Sequence, residues 1–434
     1  MKPRELKRLE KELRDFLESM VEGQGRPERR AAMSNYVTGL LLDGDRKSVV
    51  PMASRLVDNE DEIEAMRQRL TGCVSESDWR EEEVYERLAL KFSKGLPGVE
   101  AFVIDDTGFP KKGEHSVGVQ RQYSGTLGRV DNCQVATSLH LAGEAGSGCI
   151  GMRLYLPQEW CDNQKRRRKA AVPDAVSFHP KWELALGHID AALAWGIPKY
   201  VALADAGYGD VGEFREGLAQ RGLQYLVGVT GTASMWSPEA KPKVRGSVGE
   251  LGRPPTRFKD ETHPPVAMSA FAKTLKHRKV TWREGSRGRQ ASRFAAARIR
   301  TAHQRRKSEP PGQKQWLLSE WPAGEAEPTK FYLATLPENA SLKSLVRLAK
   351  LRWRVERDYQ ELKQEVGLDH FEGRTWRGFH HHAALCATAH GFLALRRALF
   401  PPEQNQVDVA SRPPDSSTSL ASDRRLLSAL SASA

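Results

Sequence analysis

Ala101-Phe102-Val103-Ile104-Asp105-Asp106-Thr107-Gly108 and Tyr200-Val201-Ala202-Leu203-Ala204-Asp205-Ala206-Gly207-Tyr208-Gly209 are two runs of one design: short, apolar and partly β-branched, ended by acid and stopped by glycine. Length and composition predict a buried strand for each. An ionised carboxylate at the end of a buried strand is costly to desolvate unless it is paired or bound to metal. A shared divalent cation answers for both. A third acid, Glu356, lies far downstream in the basic segment Leu351-Arg352-Trp353-Arg354-Val355-Glu356-Arg357-Asp358-Tyr359-Gln360-Glu361-Leu362-Lys363.

Around the first run the pattern predicts strands over 101–105, 115–123, 132–141 and 150–156, separated by Gly and Asp turn residues. A helix over 181–195 stops at Gly196; strand 200–205, helix 211–221 and strand 223–229 follow. Antiparallel strands followed by alternating strand and helix give a ribonuclease-H-like α/β domain. In that fold the strands carrying Asp105 and Asp205 are neighbours. Residues 230–335 break the alternation with Pro-rich and Lys/Arg-rich sequence and strand-like pieces at 279–282, 292–300, 315–318 and 330–334, a β-rich insertion. The catalytic fold, begun over 99–229, resumes over 336–400. One helix is expected from Ser344 through Glu356 and Lys363 towards Gly367, and a last one over 382–399. Residues 401–434, rich in Ser, Ala, Pro and Asp, are expected to be disordered.

Upstream, Leu6, Leu9, Leu13, Leu17 and Met20 recur at helical spacing. Ser75 with Asp78 resembles a capping box for a helix from Trp79 to Phe92. Residues 1–98 therefore read as a helical N-terminal domain, for packing or dimerisation on one reading and for DNA binding on the other.

Lys and Arg number 67 against 55 Asp and Glu, a formal charge of +12, which favours a polyanionic partner. No run reaches the roughly 18 apolar residues of a spanning helix. The start, Met1-Lys2-Pro3-Arg4-Glu5-Leu6-Lys7, has no apolar signal core, so a cytoplasmic protein without membrane partners is expected. The basic run Lys165-Arg166-Arg167-Arg168-Lys169 is expected to form a loop that contacts phosphates. The 5 cysteines are scattered without a C-x-x-C pair and read as reduced thiols. His380, His381, His382, Cys386 and His390 could suggest zinc, but their spacing equally suits a packed helix face, the preferred reading.

Carboxylates from two strands and a helix, with no His or Cys at ligand spacing, make a hard oxygen site suited to Mg²⁺ or Mn²⁺. Two such ions serve in-line displacement at a phosphodiester, and the basic surface would hold the DNA. Either Asp105 or Asp106 can be the first acid, and only one of them can face the metals, because adjacent strand residues face opposite ways; the preference for Asp105 comes from the acid-x-Thr/Ser pattern of the family that these residues resemble, described next. Glu361 and Glu365 compete with Glu356. Asp210 competes with Asp205 and is better placed to cap the next helix.

These residues resemble a known family, the DDE transposases of bacterial insertion sequences, in the branch with a β-strand insertion between the second Asp and the Glu. Asp105-Asp106-Thr107-Gly108-Phe109-Pro110-Lys111-Lys112-Gly113 with Ser116-Val117-Gly118-Val119 looks like its first-acid block, followed by Asp131-Asn132-Cys133-Gln134-Val135. Ala204-Asp205-Ala206-Gly207-Tyr208-Gly209 looks like the second. The Tyr-Arg-Glu-Lys signature is matched by Arg352, Glu356 and Lys363, with Ala349 where the signature has tyrosine. The resemblance implies catalysis by Asp105, Asp205 and Glu356, with Arg352 and Lys363 gripping phosphates from the same helix face. It further implies cut-and-paste transposition on terminal inverted repeats by a homodimer in the synaptic complex. In hairpin-forming relatives the insertion stacks a flipped base, which makes Trp282 a candidate DNA contact beside its core-packing reading. A ribonuclease-H-like nuclease or resolvase and a domesticated, non-catalytic DNA-binding protein are the alternatives.

Overall fold

A computed structural model describes residues 3–125, 128–241, 243–244, 258–260, 262–285, 288–302 and 312–399; the tail expected to be disordered lies outside them. Along the chain run helices α1 (Pro3–Val21), α2 (Pro27–Leu41), α3 (Val49–Arg55), α4 (Glu60–Ser75) and α5 (Glu81–Gly95). Next come β1 (Val99–Pro110), β2 (Gln120–Ser124), β3 (Arg129–Gly143), β4 (Ser147–Leu154), α6 (Gln158–Asp162), α7 (Gln164–Lys169) and α8 (Lys181–Ala194). Then follow β5 (Val201–Ala204), α9 (Ala206–Gly209), α10 (Gly212–Gln220), β6 (Tyr225–Val229), β7 (Ser234–Trp236), β8 (Lys243–Val244), β9 (Phe258–Lys259), β10 (Val266–Ala267) and α11 (Met268–Lys273). The chain closes with β11 (Arg278–Gly285), β12 (Gly288–Thr301), β13 (Gln315–Trp321), β14 (Lys330–Ala334), α12 (Leu342–Leu351), α13 (Trp353–Gln364) and α14 (Trp376–Leu399). No helix among the described residues is long and apolar enough to cross a membrane.

The fold is mixed α/β, and its contacts divide it into two compact units. The first gathers the described residues of 1–100, 104–198 and 353 onward. In it β3 pairs antiparallel with β2 through Arg121↔Asn132 and with β4 through Ala136↔Leu154. Helix α14 is buried along most of its length and packs on β4, α5 and α2. Leu9, Leu13, Leu17 and Met20 of α1 are buried, as their helical spacing requires.

Three expectations change here. The strand expected over 115–123 begins only at Gln120, because the chain turns first: Val119 N donates to Ser116 O, and Gly118 takes φ +71°, where an added Cβ would also meet Tyr155 O at 3.1 Å. Ser75 and Asp78 form no capping box. Ser75 ends α4, while α5 starts at Glu81 without a side-chain cap and instead carries Glu81, Glu82 and Glu83 in its first turn, where the helix dipole favours acid. The last helix starts at Trp376, ahead of the expected His382.

The second unit holds 101–103 and 199–352. Residues 101–103 of β1 pair parallel with β5, Ala101↔Val201 to Val103↔Leu203, and β5 pairs parallel with β6. Beyond β6 the pairing is antiparallel, through β14, β13 and β12 to β7, with β11 folded back on β12. Since β14 pairs with β6 (Phe331↔Val229), the strand pieces read from 278–334 extend the sheet that contains β5.

The helix expected to run unbroken from Ser344 past Lys363 is two. Helix α12 ends at Leu351, Arg352 caps it, and α13 starts at Trp353. No Pro or Gly marks the break. It falls where the chain passes from the second unit to the first: α12 packs on β6, β11 and β12, and α13 on β4 and α14.

Candidate active site

The first strand does not end at Asp105 as expected but runs on to Pro110, so Asp105 and Asp106 are adjacent within β1 and alternate in direction. Asp106 is engaged by Lys181, the first residue of α8, with Nζ 2.6 Å from Oδ2. The Asp105 side chain is half-buried, and its Oδ1 accepts the Asp106 backbone N–H at 2.8 Å.

In the second unit Asp205 follows β5 and is the N-cap of α9, its Oδ1 accepting from Tyr208 N at 3.3 Å. The glycines around it serve close approach. A Cβ at Gly209 would lie 1.8 Å from Gly228 O of β6, and one at Gly228 would meet Ala206 N at 3.0 Å. Asp210 does not cap α10 as expected, because its Oδ1 is taken by Thr230 N at 3.0 Å and Val211 is the cap residue. Val103 and Leu203 are the last residues of β1 and β5 that pair with one another, and Asp105 and Asp205 each follow two positions later in the sequence.

Helix α13 turns Val355, Asp358, Tyr359, Glu361 and Leu362 inward and leaves Glu356 exposed. Glu361 is buried among cations. Arg357 Nε lies 2.7 Å from Oε1, Arg397 reaches both oxygens at 3.0 and 2.5 Å, and His390 Nε2 lies 3.1 Å from Oε2. Burial alone would raise the Glu361 carboxyl, yet the hydrogen bonds from His390 and Arg397 outweigh it and hold the group well below the usual range. Glu365 is also buried. Of the three glutamates, Glu356 alone has its side chain in solvent.

Lys363 is in the first unit, where its Nζ donates to Gly108 O at 2.8 Å and lies 5.1 Å from the Phe109 ring centroid; burial pushes its ammonium down. Arg352 belongs to the second unit. The single helix face expected for Arg352, Glu356 and Lys363 is therefore interrupted at Arg352.

A buried polar chain that sequence reading missed joins α13 to β3 and β4 within the first unit. Asp358 Oδ2 lies 2.7 Å from His140 Nδ1, and Asp358 Oδ1 accepts from Ser147 Oγ at 2.6 Å. His140 Nε2 lies 2.9 Å from Ser138 Oγ, which is 2.6 Å from the Tyr359 hydroxyl. Burial opposes charge on His140, but Cys149 beside it and the hydrogen bond to Asp358 hold the imidazole up at about 10. Tyr359 is pushed well above the ordinary phenol value, first by burial and then by the charge of Asp105. The partners lie more than 200 positions apart, so no local spacing could announce them.

The basic run is a short helix, α7, and not a loop, because Asn163 caps it by accepting from Arg166 N at 3.0 Å. Arg166 stacks 3.9 Å over Trp160 and donates to Glu114 O, and Arg167 donates to Pro173 O. Lys165, Arg168 and Lys169 are exposed. Trp282 is half-buried, edge-on to Phe294 at 5.8 Å, with Lys350 Nζ 4.4 Å from its ring centroid and bound in turn by buried Glu320. His380, His381 and His382 are packed inside, and burial pushes each down to about 4. His382 Nε2 reaches Gly367 O at 3.2 Å, so its Nδ1 accepts from Tyr36.

Among the described residues no three His, Cys, Asp or Glu side chains are gathered to hold a metal ion. Asp105 and Glu356 belong to one unit and Asp205 to the other. The donor set itself, three carboxylates of which Glu356 is solvent-exposed, fits a hard divalent cation.

The sequence model of a family described as DDE superfamily endonuclease matches residues 19–289, more than half of the chain. The match includes Asp105 and Asp205 and ends before Glu356. Over 196 residues the chain is 31% identical to the probable transposase for insertion sequence element IS701 of Microchaete diplosiphon, covering 44% of this chain and 46% of the relative. The chain thus matches about half the length of that curated relative.

Proposed function

We propose that this chain, which belongs to the DDE superfamily endonucleases, is an insertion-sequence transposase that cuts DNA at the element's ends and joins the freed 3′-hydroxyls to target DNA, by a cut-and-paste route. The observation that carries the proposal is the family match over a range that includes both aspartates, which follow the paired residues Val103 and Leu203 by the same step in sequence. Members of this superfamily use divalent metal ions. Here Asp105, Asp205 and Glu356 would hold two Mg²⁺ or Mn²⁺ ions, which when bound supply charge neutralisation at the attacking and leaving oxygens of a phosphodiester.

The remaining work belongs to side chains. Lys181 holds Asp106 in an ion pair, which supports Asp105 as the acid of the pair that serves the site. The cations around Glu361 do the same on α13, in favour of Glu356. Lys165, Arg168 and Lys169, exposed on α7, would contact phosphates, and Arg352 and Lys363 would steady the strand near the acids. Trp282 remains a candidate stacking contact. The catalytic fold on this reading is ribonuclease-H-like with a β-rich insertion over 230–335, and helices α1–α5 form a DNA-binding or dimerisation region of a homodimer acting in the cytoplasm.

The test is incubation of the purified chain with linear DNA bearing the ends that flank its own reading frame, in Mg²⁺, reading both cleavage and joining. Wild type is expected to do both, and Asp105→Asn, Asp205→Asn and Glu356→Gln neither. Wild-type cutting by the Asp205 or Glu356 variant refutes the assignment. The family description names cleavage alone, so metal-dependent cutting without joining would make the chain a nuclease or resolvase. DNA binding with neither reaction would make it a domesticated binding protein.

A further inference from the structure

We infer that Tyr359 and Asp358, bonded through Ser138, His140 and Ser147, are positioning residues for the acids proposed above: they fasten the helix that carries Glu356 to β3 and β4. The inference rests on the reading of Asp105 and Glu356 as metal-holding acids.

The first ground is placement. Asp358 and Tyr359 follow Glu356 by two and three positions on α13 and face inward while Glu356 faces solvent. A helix turns about 100° and rises about 1.5 Å per residue. A slip of α13 by one residue would therefore swing Glu356 away, whereas a working site tolerates only about 0.5 Å. Val355 and Leu362 are the inward aliphatic residues of α13, and greasy contacts tolerate sliding. Hydrogen bonds of 2.6 and 2.7 Å to fixed atoms of β3 do not.

The second ground is completeness. Ser138, His140, Ser147, Asp358 and Tyr359 are all buried, and none is among the buried side chains left without a hydrogen-bond partner. Apolar residues in the same space would generally stabilise as well or better, so a buried polar chain that is satisfied throughout argues for register over stability.

The test uses the full chain without DNA and follows Mn²⁺ binding by loss of the free-ion EPR signal. Tyr359→Phe keeps the ring and deletes the hydroxyl. Losing such a supporting partner is expected to weaken Mn²⁺ binding by about 10- to 100-fold. Melting temperature should stay within a few degrees of wild type, and metal-free DNA affinity should be unchanged. Should Tyr359→Phe melt far below wild type, Ser138→Ala, which breaks the same chain with a smaller change, is read in its place. Wild-type Mn²⁺ affinity in the folded variant overturns the inference. If Asp105→Asn and Glu356→Gln also bind Mn²⁺ as wild type does, the assignment of the acids has failed and the inference falls with it.

Discussion

Replacing Glu361 with alanine should damage the fold and spare the chemistry, while the same change at Glu356 should do the reverse. The Glu361 side chain is 5% exposed and is held by Arg357, Arg397 and His390. Removing one member of a buried ion cluster leaves the others desolvated without a partner, a loss of about 3–5 kcal/mol. Arg357 and Arg397 keep 26% and 20% of their side-chain surface in solvent and can turn partly to water, so the lower end applies, about 3 kcal/mol. With an unfolding entropy of about 2.1 cal/mol/K per residue over the 434 residues, that lowers the apparent melting temperature by roughly 3 °C. Glu356 is exposed, and its removal should change stability by less than about 0.5 kcal/mol while abolishing cleavage. Thermal melts at pH 7, paired with cleavage assays well below the transition, separate the two. The Glu361 carboxyl is held below its unfolded value. Its contribution is therefore present above about pH 4.3 and is lost as pH falls through the folded value, so pH 7 reads it in full. Wild-type melting of Glu361→Ala would refute the energetic reasoning. Loss of cleavage in Glu361→Ala with cleavage intact in Glu356→Ala would reverse the choice of acid.

Gly209→Ala should destabilise by about 1–3 kcal/mol or more and lose cleavage, because the new Cβ would sit 1.8 Å from the Gly228 carbonyl oxygen, a backbone atom that cannot rotate away. A variant that melts and cuts as wild type does would contradict the close approach. The stability gap between wild type and His140→Gln should narrow as pH rises. His140 is raised in the fold to about 10, so its contribution is complete below the unfolded value of about 6.5 and is lost as pH climbs towards about 10. Melts of both proteins at pH 6.5, 8 and 9.5 check the sign, and a gap that widens would exclude a charged imidazole.

The two strands that precede the acids were legible because the cause is local: an apolar run predicts its own burial, and both Val103 and Leu203 lie in paired, buried strands, although β1 runs on past Asp105 to Pro110. The different burial of the three glutamates was not. On α13 the inward face carries Asp358, Tyr359 and Glu361 beside Val355 and Leu362, so polarity does not tell inside from outside. What separates Glu361 from Glu356 is Arg397 and His390, brought in by α14. Asp106 is likewise separated from Asp105 by Lys181, 75 positions on. The break at Arg352 left no Pro or Gly in the sequence, since it arises where two helices pack on different units. Gly118 and Asn163 were readable in principle, one as a stop for the strand and the other as a cap that turns a basic run into helix.

The division of the chain has a consequence for its synthesis. The first unit is begun by the N-terminal helices but lacks α13 and α14 until the end, although α14 fills the space between α5, α2 and β4. A ribosome must therefore deliver the whole of 199–352 while that earlier core stands open, and the unit begun first is finished last. Premature termination anywhere before Trp376 leaves the apolar faces of α5 and β4 bare, a species prone to aggregate. An excised 199–352 fragment fares no better, because it leaves residues 101–103 behind and exposes Val201-Ala202-Leu203 of β5 as an unpaired edge.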